Sequence, residues 1–202
     1  MQRLLDAAGG DGLRLEPGAT RPTGGSLSRS PEATALRRWV RAFEPYGREA
    51  LVRIALAATE PTLPWWEEPP VEPEVSHDLL DALARFDVMP PAIQVASVRA
   101  WLEDPSEDRA LAAASTLDWR RTMKGDLLRD ATFAYLWEEP YVFALAAAVE
   151  CVEALSGEAP VRHAHRCAVA VLEASIRAGV DAPLGAVVTS IREALGAWLA
   201  AG

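Results

Sequence analysis

The residues best suited to chemistry lie in one short stretch, Arg162 to Cys167, which reads Arg-His-Ala-His-Arg-Cys. On a helix, His163 and Cys167 are one turn apart and share a face, as metal ligands on a single helix must. Cys151 is a third soft ligand, whereas His165 points to another side of the helix. A metal site of His163, Cys151 and Cys167 is one hypothesis. The other is that both cysteines pack in the core with the histidines at its edge, and the lack of CxxC or HExxH spacing favours it.

Other catalytic patterns are missing from the sequence. Neither Gly-x-Ser-x-Gly, Gly-x-Gly-x-x-Gly nor Gly-Lys-Ser/Thr occurs, so no nucleophile elbow and no phosphate-binding loop is indicated. Paired acids such as Glu103-Asp104 and Glu107-Asp108 adjoin prolines or helix starts, where the helix dipole favours negative charge. We therefore predict no metal site, no cofactor and no enzyme activity.

A binding element is predicted in the segment Ile54 to Ala84, which has no Lys or Arg but seven acids, five prolines and two adjacent tryptophans. A buried loop could not hold so many glutamates without partners, so we expect a surface loop. Exposed acidic loops with adjacent tryptophans are typical of binding sites. The candidate partner-binding residues are Trp65, Trp66, Glu67, Glu68, Glu72 and Glu74. Alternatively, the tryptophans anchor the loop, and its acids pair with the bases near Trp119.

Composition and charge narrow the classes of partner. The chain has 202 residues and a net charge of −9, which disfavours nucleic acid and anionic lipid and suits a basic protein partner. The two cysteines sit in apolar surroundings, which is typical of reduced, intracellular proteins. We find no secretory leader and no membrane-spanning run of uncharged residues, so we expect a cytoplasmic protein.

The elements that must position these residues are helices, because alanine and leucine dominate and proline opens several apolar-periodic segments. Asp104 and Glu107 have the spacing of a capping box. The helix at 141–155 is apolar on nearly all sides and should be central. We predict helices over 31–43, 46–59, 76–86, 90–102, 104–123, 126–137, 141–155, 160–178 and 183–200.

This pattern predicts an all-α domain over residues 31–202, preceded by an irregular or mobile N-terminal arm over residues 1–30. About eight helices with short connections form a multi-helix bundle or, as the alternative, a short α-solenoid. Trp-Glu-Glu-Pro occurs at 66–69 and again at 137–140. This repeat keeps the solenoid open, and the sequence leaves the oligomeric state open as well.

The stretch from Arg99 to Ala114 reads Arg-Ala-Trp-Leu-Glu-Asp-Pro-Ser-Glu-Asp-Arg-Ala-Leu-Ala-Ala-Ala. With the alanine-rich helices after it, this stretch resembles small helical immunity proteins of bacterial polymorphic toxin systems. The resemblance implies an acidic, all-α, cytoplasmic protein that neutralises a toxin by binding it. It assigns no individual binding residue.

Three functional hypotheses follow. The first is a non-enzymatic protein-binding module, most concretely an immunity protein for a bacterial toxin. The second is a structural or adaptor subunit of a larger bacterial assembly, which would bind through its helix faces. The third is a metal-dependent helical enzyme that uses His163, His165 and Cys167.

Overall fold

The structure, a computed structural model, describes residues 1–3, 5, 30–67, 88–119 and 140–201. Within these ranges every regular element is helical and none is a strand, so the all-α prediction is confirmed. Short 3-10 turns at Glu44–Tyr46 and Glu60–Thr62 lead into α2 and α3. The α-helices are α1 (Pro31–Arg41), α2 (Gly47–Thr59), α3 (Leu63–Glu67), α4 (Pro91–Glu103), α5 (Glu107–Ser115), α6 (Pro140–Ser156), α7 (Pro160–Arg177) and α8 (Pro183–Ala201).

Local signals set most helix ends, as the sequence predicts. Proline is the first residue of α1, α4, α6, α7 and α8, where its missing amide hydrogen costs no helical bond. The Ser30 hydroxyl oxygen accepts a hydrogen bond from the Ala33 amide at 3.1 Å and caps α1. After α7, Gly179 has a φ of +71° and the Val180 amide donates to the Ser175 carbonyl, which together form a Schellman cap.

The predicted helix over 104–123 is wrong at both ends. Its cap is Ser106 rather than Asp104, because the Ser106 hydroxyl accepts from the amide three residues on, at 3.4 Å. The helix ends at Ser115 rather than near Met123. There the Thr116 amide donates to the carbonyl three residues back, and a turn over residues 116–118 follows.

Helix α2 lies at the centre of the fold and contacts α4, α6, α7 and α8. Every residue from Ile54 to Thr59 is buried, so the expectation that the segment from Ile54 to Ala84 lies on the surface is wrong for its first six residues. Helix α6 packs against α2, α3, α4, α5 and α7, which agrees with the central position predicted for the most apolar helix. Helices distant in sequence share one core, which is the packing of a bundle.

The predicted N-terminal arm is described only at residues 1–3, 5 and 30. Gln2, Arg3 and Leu5 are helical rather than irregular, and Leu5 is 3% exposed within the hydrophobic core. The following lie outside the described residues: the rest of residues 1–30, the predicted helices over 76–86 and 126–137, half of the first Trp-Glu-Glu-Pro copy and three residues of the second. The count of about eight helices therefore stays a prediction.

The turn between α6 and α7 is held by contacts from two sides. The Arg48 guanidinium donates to the carbonyl oxygens of Leu155 at 2.6 Å and Gly157 at 3.0 Å, which satisfies orphan acceptors at the end of α6. A Cβ atom on Gly157 would lie 2.5 Å from the Glu153 carbonyl oxygen and 3.2 Å from the His163 ring. The turn therefore requires glycine because space is lacking.

We expect Gly157→Ala to lower the free energy of unfolding by about 1–3 kcal/mol, because the added methyl group forces the turn or the His163 ring to move. Gly196→Ala is the matched control. A Cβ there meets nothing within 4 Å, and alanine in a helix interior should raise stability by about 0.5–1 kcal/mol. Urea unfolding measures both. Equal effects of the two changes would contradict the packing described for the turn.

Candidate functional site

The base of the tryptophan segment is fixed to the fold at three points. The buried Thr62 hydroxyl donates to the Thr59 carbonyl at 2.7 Å, and Leu63 packs against the core. The Arg99 guanidinium from α4 pairs with the Glu60 carboxylate at 2.7 Å. These contacts hold the start of α3, so the residues that follow are presented from a rigid base.

Trp65 and Trp66 lie on α3, in a helix rather than in the predicted loop, and both are partly exposed. Glu67 is exposed at the end of the same helix. Trp39 is buried, and the side chains that pack against the core include Trp101, Trp119 and Trp198. Among the tryptophans of the described residues, only Trp65 and Trp66 belong neither to the core nor to the side chains packed against it.

The other predicted partner-binding residues, Glu68, Glu72 and Glu74, lie outside the described residues, as do the bases at positions 120 and 121. The structure gives the segment a different basic partner, Arg99, which pairs with Glu60. Sequence reasoning missed this pair because the two residues are 39 positions apart in the chain.

The two cysteines lie in the core, as the alternative to a metal site predicts. Cys151 and Cys167 are both fully buried and unpaired. The Cys167 thiol donates to the Ala55 carbonyl at 3.3 Å and lies 3.0 Å from the Thr59 hydroxyl. Burial raises the pKa of Cys167 to about 12, and burial followed by the neighbouring Cys167 raises the pKa of Cys151. Both side chains are therefore neutral thiols at physiological pH.

The His163 ring has a carboxylate partner on the neighbouring helix. Its Nδ1 atom lies 2.7 Å from one oxygen of Glu150 on α6, and Arg166 lies 3.6 Å from the other oxygen. Within residues 30–67, 88–119 and 140–201, no group of three or more His, Cys, Asp or Glu side chains could hold a metal ion. The structure therefore does not assemble His163, Cys151 and Cys167 as a metal site.

His165 lies on another side of α7 and faces α1. Its Nδ1 atom is buried and has no hydrogen-bond partner among the described residues. Burial, followed by the positive charges of four arginines, lowers the pKa of His165 to about 4. These arginines are Arg37, Arg41, Arg166 and Arg162. Sequence reasoning missed them because two lie on a helix more than a hundred residues earlier.

Helix α8 is long and apolar enough to span a bilayer by length and composition, although it contains Arg192 and Glu193. Of its most apolar window, 28% is buried inside the fold, and core helices of soluble proteins meet the same criteria. The Ser190 hydroxyl donates to the Ala57 carbonyl at 2.6 Å, and Arg53 lies over the Trp198 ring at 4.9 Å. These contacts join α8 to α2, and the predicted cytoplasmic location stays a prediction.

No known protein family, curated protein or solved structure matches this chain. The resemblance to immunity proteins therefore rests only on the sequence. The stretch from Arg99 to Ala114 forms the end of α4, the connection to α5 and most of α5. Function has to be argued from the exposed surfaces and their charges.

We expect both cysteines of the folded protein to resist a thiol reagent such as DTNB, because their burial disfavours the reactive thiolate. Labelling should be slow in buffer, should accelerate with urea in step with unfolding, and should reach both thiols in the unfolded chain. Ser115→Cys, at an exposed position, supplies a control thiol that should react at once. Fast native labelling that is independent of urea would contradict the buried positions.

The lowered pKa of His165 predicts that acid destabilises the fold. The unfolded chain binds a proton near pH 6.5, whereas the folded chain binds it near pH 4. The contribution of His165 to the free energy of unfolding is therefore fully present above pH 6.5 and is lost as the pH falls from 6.5 to 4. Urea unfolding of wild type and His165→Gln across this pH range should show that the free energy of unfolding falls less steeply with decreasing pH in the variant. Parallel curves would contradict the environment described for His165.

Proposed function

We propose that this protein is a non-enzymatic protein-binding module that contacts its partner through α3, most concretely an immunity protein that neutralises a bacterial toxin by binding it. One observation carries the proposal: Trp65 and Trp66 are the two described tryptophans that do not pack against the core. Contact between water and the apolar rings of partly exposed tryptophans is unfavourable. Tryptophan is also among the residue types that most often dominate binding energy.

The fixed base of α3 supports the proposal. Thr62, Leu63 and the Glu60–Arg99 ion pair hold the start of this helix before any partner is bound. Binding then orders few further groups, and this pre-organisation leaves more of the contact energy available as affinity. Two adjacent aromatic side chains carried by a helix whose first residue packs on the core suit a binding site.

The charge of the segment indicates the kind of partner. Glu67 is exposed beside the tryptophans, and the sequence continues with Glu68, Glu72 and Glu74. The whole chain carries a net charge of −9. A basic protein surface complements both features, because opposite fields speed encounter and favour one orientation. A basic toxin surface would suit this site.

The contacts of the soft ligands favour binding over metal-dependent catalysis. His163 is engaged by Glu150, the Cys167 thiol bonds the Ala55 carbonyl, and His165 faces the arginines of α1. A metal enzyme built on His163, His165 and Cys167 would need these side chains to converge. In the fold they contact three different helices.

A structural or adaptor subunit is the second candidate, and exposed apolar residues on helix faces support it. Ile93 on α4 is 49% exposed and Leu111 on α5 is 61% exposed. Large exposed aliphatic side chains often mark contacts between subunits. If this hypothesis holds, Ile93→Ser and Leu111→Ser weaken assembly, whereas changes in α3 do not.

The proposal predicts that Trp65→Ala and Trp66→Ala each weaken binding of the partner by about 2 kcal/mol or more, roughly thirty-fold, with little loss of stability. Calorimetric titration of the purified partner toxin measures the affinity, and rescue of growth on co-expression measures neutralisation. Leu199→Ala, which removes an exposed apolar side chain from α8, is the matched control and should bind as wild type does.

Equal losses of folding and binding in the tryptophan variants would contradict the proposal, because the two side chains would then be packing anchors. Unchanged affinity in folded tryptophan variants, with loss in Ile93→Ser or Leu111→Ser, would assign the interface to the helix faces. That result would favour the adaptor subunit.

A further inference from the structure

A second charged surface forms where α1 packs against α7. Arg37 and Arg41 are one turn apart and share a face of α1, whereas Arg162 and Arg166 share a face of α7. His165 lies beside them on α7, and the charges of all four arginines act on its ring. We call Arg37, Arg41, Arg162 and Arg166 the arginine cluster.

The charge of the arginine cluster is only partly neutralised inside the fold. Arg166 lies 3.6 Å from Glu150, but that carboxylate also holds His163 at 2.7 Å. Arg41 and Arg162 are exposed, and neither forms an ion pair with any residue that the structure describes. Like charges one helical turn apart repel each other, so an anion bound at Arg41 and Arg162 would reduce the repulsion that remains.

The histidine between the helices adds a polar group without a partner. The buried Nδ1 atom of His165 makes no hydrogen bond within the described part of the chain. Burial and the arginine charges lower the pKa of this ring to about 4, so the ring is neutral at physiological pH. The ring therefore adds no positive charge of its own to the arginine cluster.

We propose that the α1–α7 face binds an acidic segment of a protein partner, whose carboxylates pair with Arg41 and Arg162. Guanidinium groups bind carboxylates with two parallel hydrogen bonds, so arginine suits this task better than lysine. The cluster is a basic surface in a chain of net charge −9. It therefore suits an acidic partner, whereas α3 suits a basic one.

The spacing of the cluster favours a row of carboxylates over one small anion. Residues one turn apart lie about 6 Å apart along a helix, and packed helices lie about 8–10 Å apart. Four arginines on two helices therefore cover a surface rather than a point. Nucleic acid is disfavoured because the rest of the chain is strongly acidic.

The test is binding of a fluorescein-labelled hexaglutamate peptide to the full chain at low ionic strength, measured by fluorescence anisotropy. We expect the double variant Arg41→Gln/Arg162→Gln to bind up to about ten-fold more weakly than wild type, since two exposed ion pairs to the peptide are lost. The matched control is Arg38→Gln/Arg109→Gln, which removes the same charge at exposed positions whose charges do not act on His165. It should bind as wild type does.

A second readout locates the peptide. NMR of the His165 ring should show its pKa rise from about 4 when hexaglutamate is bound, because the carboxylates offset the arginine charges. Equal weakening by both double variants, or no binding to wild type, would overturn the proposal. Tighter binding of inorganic phosphate than of hexaglutamate, lost in Arg41→Gln/Arg162→Gln, would also overturn it and assign a small-anion site. Binding of hexaglutamate does not depend on Trp65 or Trp66. A negative result here therefore leaves the proposed function of α3 untouched, and a negative result for α3 leaves this proposal untouched.

Discussion

The rest of the structure depends on the burial of α2. This helix is enclosed by α4, α6, α7 and α8, and its alanines at 55, 57 and 58 let these neighbours approach closely. Polar groups on the neighbours point at its backbone, because a buried group without a hydrogen bond is costly. The Ser190 hydroxyl donates to Ala57, and the Cys167 thiol donates to Ala55. The Thr59 hydroxyl also donates to Ala55, within α2 itself, at 2.8 Å. These bonds fix α7 and α8 in register against the central helix.

Both candidate surfaces are attached to this central helix. Its carboxyl end continues through the Glu60–Thr62 turn into α3, which carries Trp65 and Trp66. Arg48, in its first turn, holds the end of α6 and thereby the turn into α7. Helix α7 in turn packs against α1 and forms the arginine cluster. The acidic aromatic surface and the basic surface therefore share a framework but use different side chains, and each can be removed without touching the other.

Features with a local cause could be predicted from the sequence, and features with a long-range cause could not. The proline at each helix start and Gly179 after α7 act through backbone geometry alone, and the predicted ends agree with the structure to within a few residues there. The cap at Ser106 was missed because Asp104 has an equally plausible capping pattern. The prediction that Ile54–Thr59 is exposed was wrong because it was made for a longer segment, whose acids and prolines all follow Thr59.

The surroundings of each candidate metal ligand also could not be predicted from the sequence. Cys167 meets Thr59 across 108 positions, and His163 meets Glu150 across a helix–turn–helix. The arginines of α1 reach His165 only because α1 packs on α7. In each case the residue types were visible, but the partner that decides their chemistry comes from packing. The sequence predicted exposure near Trp65 and Trp66 from the acids and prolines that follow them, but it placed the pair in a loop, whereas the structure places it in α3.

Hydrogen–deuterium exchange of the protein with and without its purified partner locates the binding surface. If the partner binds α3, protection on binding is strongest in the peptide covering Leu63–Glu67, since these amides lie under the contact. Protection confined to α4 and α5, with unchanged exchange in Leu63–Glu67, would contradict binding at α3.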